Sequence, residues 1–440
     1  MIKNWLKDIK EGRPLWLAEC REEMKEDPEA VETKISVITN EGESREFSIY
    51  LPKVEENSEF ALMGRYLDAN RMNAAYLLGQ IDTTECRMPD TDAILAQMKE
   101  GNSKESDAPE FEMPEEPLIC GVDIGGTDIK LVLVEGDRLR RVLAYDWNPS
   151  IATEAAMILN PIYELIEMAA NGQKLDGIGV AFPDVVANNK ILDSETAKTE
   201  GLRANKDIDY KAEFAKITNL DDFLRPLCKE GAPIRILNDG YMAAYTAYNE
   251  LKQTEAGREV IKDGIIALPI GTDIGFGWVK PDGTIPNYPG NLYKCVFRFD
   301  NDEDAHFMNQ KRVLELAGMP QTNPKPCVDM LISMAEGGEQ NAEMIFKNIG
   351  AYVGHVIREI DYFMQPETNK FLLMGRFAKS EYCFDLMCLG MQNICPDAVV
   401  LQADEGLANT PIMKKLAEID KTAVAQFAQA VGCIYYALEK

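Results

Sequence analysis

Two stretches of this chain share one plan: an apolar run, a glycine-containing turn and a second apolar run. Residues 118–123 and 129–135 flank Gly125 and Gly126; residues 264–270 and 275–280 flank Gly271-Thr272-Asp273-Ile274-Gly275. Short apolar runs broken at glycine predict β-hairpins. Two such hairpins, each opening its own half of the chain, predict an internally duplicated α/β protein around a central cleft. Between them come strand-like runs at 176–182, ending before Pro183, and at 234–237, with a further one at 371–374. Helical patterns cover 153–171, 241–251, 338–364 and 421–438. Strands alternating with helices argue for an α/β architecture with parallel pairing.

The segment before the first hairpin has another texture. Residues 100–117 are acidic, hold three prolines and show no apolar period, so they read as a linker. Upstream, 34–37 and 46–51 alternate like short strands around the turn signal Asn40-Glu41-Gly42, and helices are expected around 59–80 and 90–100. This predicts a small α+β accessory domain over 1–99, without a chemistry-bearing motif. The first 117 residues hold 14 basic and 27 acidic side chains.

Charge narrows the partners. The 440 residues contain 46 basic and 73 acidic side chains, a net charge of −27. So negative a surface disfavours nucleic acid and anionic membrane surfaces. No apolar run approaches the ~20 residues of a membrane span. The first residues carry no signal-peptide core, and a cytoplasmic protein is expected. Ten cysteines without a CxxC pair, and only two histidines, read as reduced thiols and disfavour zinc.

Three elements carry chemistry. In Asp123-Ile124-Gly125-Gly126-Thr127-Asp128-Ile129-Lys130, the glycines let backbone N–H groups approach a phosphate. Thr127 adds a hydroxyl, Lys130 a cation, and Asp123 at a strand end can hold Mg²⁺ directly or through water. The second turn, with Gly271 and Thr272, offers a similar cradle from the other half. Asn238-Asp239 joins a strand to a helix. Asp239 there can take a proton from an attacking hydroxyl, and Asn238 can hydrogen-bond a neighbouring one. Asn and Asp are also ordinary helix caps.

In this order the motifs resemble those of the ROK family (repressors, open reading frames, sugar kinases) of the actin/hexokinase/Hsp70 ATPase superfamily. The resemblance covers 118–440. GVDIGGTDIKLVLVE is similar to the family's phosphate-1 motif, GIGVAFPDVV to the next strand and ILNDGYMAAYTAYNE to the helix with the catalytic aspartate. IGTDIGFGWVKPDG resembles phosphate-2, EQNAEMIFKNIGAYVGHVIREIDYFMQPETNKFLLMGRF the long helix and adenosine-motif strand, and AVGCIYYAL the closing helix. The resemblance implies a two-lobed actin-like ATPase fold of duplicated ribonuclease H-like units. The first lobe would span 118–240 plus 421–440, and the second 241–420. It implies ATP and Mg²⁺ as cofactors and a sugar or polyol as small-molecule partner. Asp239 would be the general base and Asn238 a substrate contact. Gly125, Gly126, Thr127, Lys130, Gly271 and Thr272 would contact phosphates, Gly375 would lie against adenosine, and Asp123 would place the magnesium. A homo-oligomer is expected, with a protein partner for the N-terminal domain as a further expectation.

The chain also departs from the family. Where its sugar kinases carry Gly-Glu-x-Gly-His, this chain has Gly290-Asn291-Leu292-Tyr293-Lys294. Asn291 and Lys294 thus stand at the substrate-contact positions of Glu and His. The zinc-binding cysteine cluster is missing, so no structural zinc is expected. Asp184 follows Pro183 where glycine is usual, Asp273 replaces a phosphate-2 glycine, and Arg376 follows Gly375. A carboxylate ~4 Å from a phosphate costs about 1–4 kcal/mol unless a cation bridges them. Two readings therefore stand. One is an ATP-dependent kinase acting on a sugar-like hydroxyl; the other is a catalytically inactive ROK-like sugar-binding or regulatory protein.

Overall fold

The computed structural model describes residues 111–187, 189–192, 197–271, 274–286, 310–320, 324–403 and 405–439, with three N-terminal strands. Those strands are β1 (Ala30–Ile38), β2 (Ser44–Pro52) and β3 (Leu77–Gly79), in the order β2-β1-β3. β1 and β2 form the expected hairpin, longer than the alternation alone suggested. The helix expected over 59–80 is corrected at its end: residues 77–79 pair antiparallel with 35–37 of β1. A three-residue Leu-Leu-Gly run has no period to separate helix from strand, and β1 offers it an edge. The rest of that helix and the one at 90–100 lie outside the described residues.

The first sheet holds β4 (Leu118–Ile124), β5 (Asp128–Glu135), β6 (Arg138–Asp146), β7 (Gly177–Phe182) and β10 (Ile234–Asn238), in the order β10-β7-β4-β5-β6. β8 (Val185–Ala187) and β9 (Lys190–Leu192) form a separate small hairpin. β4 and β7 are buried along their whole length, which explains their continuous apolar sequence. β10, β7 and β4 run parallel, so their C-terminal ends lie together. Helix α1 (Ala156–Ala170) covers one face, packing Ile158, Ile162 and Ile166 against the sheet core.

The second sheet has β11 (Ile265–Pro269), β12 (Gly277–Val279), β13 (Lys370–Met374) and β14 (Val399–Gln402), ordered β12-β11-β13-β14. β11 and β12 make the second antiparallel hairpin, while β11, β13 and β14 run parallel. Helix α2 (Asp239–Leu251) enters directly from β10. Helices α3 (Pro324–Glu336), α4 (Gln340–Met364) and α5 (Glu381–Gln392) close this core. α6 (Pro411–Ile419) leads into α7 (Lys421–Leu438), which packs on the free face of the first sheet and against α2.

The seat of α7 is set by two glycines. A Cβ on Gly121 of β4 would lie 1.9 Å from the Ala430 carbonyl oxygen, and one on Gly179 of β7 1.9 Å from that of Cys433. The Cys433 thiol donates to the Val122 carbonyl at 3.3 Å. Helix and sheet backbones therefore touch, with no side-chain layer between them. No helix among the described residues is long and apolar enough to cross a membrane.

Candidate active site

The site grows from the C-terminal ends of β4 and β10, where open α/β sheets present ligand-binding groups. β4 delivers Asp123, only 5 % exposed. Two residues on, the chain turns through Gly125 and Gly126 into β5. The Gly125 N–H donates to the Asp128 carbonyl at 2.9 Å, and a Cβ on Gly125 would meet that oxygen at 2.8 Å. Only glycine fits this bend. Trp147, just beyond β6, braces the turn from outside. Its indole N–H donates to the Gly125 carbonyl at 2.9 Å, and its backbone N–H to the Thr127 carbonyl at 3.1 Å.

A chain of alternating charges crosses the turn. Lys130 Nζ lies 3.4 Å from Asp123 Oδ2 and 2.9 Å from Asp128 Oδ1. Lys325, at the start of α3, reaches Asp128 Oδ2 at 3.2 Å and Asp146 Oδ1 at 3.7 Å. Burial raises the Asp123 carboxyl above its ordinary pKa; Lys130 pulls it back and the nearby Asp239 pushes it up again. Burial also acts upward on Asp128, but Lys130 and then Lys325 hold it below the usual value. Lys130 loses charge stability to burial, yet Asp123 and Asp128 together keep its pKa raised.

β10 delivers Asn238 and Asp239. Asn238 caps α2, its Oδ1 accepting from the N–H groups of Gly240 at 3.0 Å and Tyr241 at 3.4 Å. Its amide nitrogen donates to the carbonyl of buried Asp184 at 2.9 Å, tying β10 to the segment after β7. Asp239 is the first helical residue, half-buried, and its Oδ1 accepts from Gly240 N–H at 2.8 Å.

The second hairpin lies against this same helix start. A Cβ on Gly240 would stand 2.1 Å from the Phe276 carbonyl, and one on Gly277 1.9 Å from the Gly240 carbonyl. The Tyr241 and Phe276 rings meet edge to face at 5.8 Å. Gly271 follows β11, whose continuation Ile270 bridges to Ile274. Gly375, beyond β13, has φ +103° and its Cβ would meet the Ile270 carbonyl at 2.1 Å. Both the left-handed backbone and the close approach require glycine there. Close backbone approaches thus link the start of α2, the second hairpin and Gly375, and the Asp239 charge reaches Asp123.

Thr272, Asp273, Asn291 and Lys294 lie outside the described residues. Arg376, set out above as a departure, pairs with Asp329 of α3 at 2.6 Å. The sequence reading missed Trp147, Asp128 as a charge partner and Lys325. Asp128 was visible as a second acid inside the phosphate-1 string; nothing marked Trp147 or Lys325.

The donor set suits a magnesium-bound phosphate. A glycine turn, two lysines and a buried carboxylate with incomplete charge compensation provide hydrogen bonds, cations and an oxygen ligand. Among protein-family models and curated protein sequences, nothing matches this chain. By structure it is similar to a ROK family glucokinase from Streptomyces griseus in complex with glucose and AMPPNP. That match has a TM-score of 0.50 and 16% identity, and covers 73% of this chain and 100% of the other. The chain shares the fold of that glucokinase. A ROK hexokinase from Thermus thermophilus is also similar, at TM-score 0.44 and 16% identity, covering 73% of this chain and 99% of that one. An inorganic polyphosphate/ATP-glucomannokinase from an Arthrobacter strain gives 0.44 and 15%, with 73% and 98% covered.

Proposed function

We propose that the chain is an ATP-dependent kinase for a sugar or sugar-like hydroxyl, with Asp239 as general base. The reading is carried by one observation: Asp123 and Asp239 stand at the C-terminal ends of β4 and β10, parallel strands of one sheet with β7 between them, beside a glycine turn. Such a pair divides two tasks, holding a cation and removing a proton. Bound Mg·ATP would supply the electrophilic phosphorus and neutralise developing charge.

The protein's own groups do the rest. Asp239 takes the hydroxyl proton, and α2, whose N-terminus it occupies, fixes its position. Asn238 is held by its cap and by the Asp184 carbonyl, and orients the substrate beside Asp239. The N–H groups of the first turn, with Thr127 and Lys130, and the second turn with Gly271 and Thr272, hold phosphates. Gly375 leaves room for the nucleoside. Asp123 holds the magnesium, and Asn291 and Lys294 contact substrate in place of the usual Glu and His. The lobes run over 118–240 with 421–440, and over 241–420, in a cytoplasmic homo-oligomer whose residues 1–99 serve a protein partner.

A second reading, a binder without turnover, is favoured by Asp128, whose carboxylate stands inside the phosphate turn. The test is thermal stability with Mg·ATP and a sugar panel, followed by ADP release, beside Asp239→Asn. Ligand at 100 times its Kd adds about 2.7 kcal/mol. A shift with Mg·ATP, a further shift with one sugar, and ADP release lost at least ~100-fold in Asp239→Asn support the kinase. Shifts without ADP release favour the binder, and no shift with any nucleotide refutes the kinase.

A further inference from the structure

The outer edge of the first sheet concentrates positive charge in a chain whose net charge is −27. Arg138, Arg140 and Arg141 all lie on edge strand β6. In a regular strand, residues three apart point to opposite faces. Here Arg138 pairs with Glu135, Leu139 with Val134 and Arg141 with Leu133, and the register shifts between Leu133 and Val134. Arg140 is thus the extra residue of a β-bulge. Glu135 and Leu133 are two residues apart and share a face, so the bulge brings Arg138 and Arg141 onto that face together.

The three arginines, with Asn171 and Gln173, border a cleft of about 290 Å³. Its lining is mostly polar, with Leu118, Leu133, Leu139, Ala169 and Ala170 between the polar groups. Arg140 has one ion pair, to Glu135 at 3.4 Å. The side chains of Arg138 and Arg141 make no ion pair or hydrogen bond among the described residues. None of Asp123, Asp239, Gly271 or Gly375 lines the cleft. The cleft is large enough for a small organic anion.

We propose that this cleft is a second ligand site, taking a small phosphate monoester with a compact carbon skeleton, such as a sugar phosphate. Arginine forks match the phosphate oxygens, and the guanidinium is weakly hydrated, so it releases water readily. The leucines and alanines between the polar groups meet the carbon skeleton.

The site is independent of phosphoryl transfer and is tested without it. Hexose 6-phosphate and inorganic phosphate are titrated calorimetrically into the full chain, without nucleotide and at constant ionic strength. The proteins are wild type, Arg138→Ala/Arg141→Ala and Asp239→Asn. Hexose 6-phosphate is expected to bind more tightly than inorganic phosphate. The double variant should weaken it at least tenfold while melting within about 3 °C of wild type, and Asp239→Asn should leave it unchanged. Equal binding by the double variant and wild type overturns the proposal and leaves the arginines as charges that keep an edge strand from pairing. Binding weakened by Asp239→Asn instead places the ligand in the inter-lobe cleft and also overturns it. So does the absence of heat with either phosphate at millimolar concentration.

Discussion

Asp123 is a buried carboxylate with imperfect compensation, and that tension separates its role in the fold from its role in the site. Burial first, and then Asp239, raise its pKa against the pull of Lys130. A carboxyl whose pKa is raised on folding favours the folded state below its unfolded value, and that contribution is lost as pH rises through the folded value. Asp123 ionised at neutral pH therefore strains the fold. Asp123→Asn is expected to leave stability unchanged or slightly higher at pH 7, since Lys130 keeps Asp128 at 2.9 Å. The same variant should lose the Mg²⁺-dependent part of ATP binding. In the wild type that part should fade on acidification with a midpoint above the ~3.9 of a free aspartate. Thermal unfolding and Mg·ATP titrations of both proteins from about pH 4 to 8 check this. A large destabilisation of Asp123→Asn with intact Mg²⁺ dependence would show Asp123 to be a structural partner of Lys130.

Among the elements, α2 and α7 carry most of the organisation, and both were readable as helices. Continuous apolar runs gave β4, β7, β11 and β13 within a residue or two, because a strand buried on both faces must be apolar throughout. What was not legible is how elements touch. Gly121 and Gly179 read as plain strand residues, yet both are seats for α7. Glu250 read as part of a helical stretch with nothing to distinguish it. In the fold it is fully buried, accepting from the N–H groups of Asn409 and Thr410 and the hydroxyls of Thr410 and Tyr435 at 2.6–2.8 Å. Those donors are distant in sequence, so no local pattern reveals them. Of the candidate site, Asp123, the Gly-Gly turn and Asn238-Asp239 stood out in the sequence because each sits where an apolar run ends in glycine or in a polar pair. Lys325 arrives only by tertiary folding. Two outcomes follow for this scale. Gly179→Ala should destabilise by about 1–3 kcal/mol or more, since the helix backbone must move. Glu250→Ala should cost about 3–5 kcal/mol by stranding buried donors at the start of α6, with Glu250→Gln recovering part. Denaturant midpoints measure both, and a Glu250→Ala cost under ~1 kcal/mol would mean that water replaces the carboxylate.

For the whole molecule, the contact between Lys325 of α3 and Asp128 of β5 matters most, because it joins the core of the second sheet to the phosphate turn of the first. Lys325 is 39% exposed and Lys130 17%, so water screens the outer pair more than the inner one. The outer pair contributes little stability, about 0–1 kcal/mol. Its effect on an incoming triphosphate is larger. The acidic chain already repels that anion, and Asp128 places one more carboxylate at the turn while occupying both lysines. Replacing it by Asn removes a negative charge and leaves Lys130 with Asp123 and Lys325 with Asp146 alone, without removing the turn, whose hydrogen bond uses the Asp128 backbone carbonyl. At ~4 Å and surface-like screening, one charge is worth about 1–4 kcal/mol. Asp128→Asn is therefore expected to tighten Mg·ATP binding at least ~5-fold at low salt. The gain should shrink as salt near 1 M brings the Debye length to ~3 Å. Melting should change little. Titrations at two salt concentrations decide the matter. Weaker binding in Asp128→Asn would mean that the carboxylate positions Lys130 and Lys325 for the phosphate, and that the inter-lobe contact is part of the binding geometry rather than a competitor of the nucleotide.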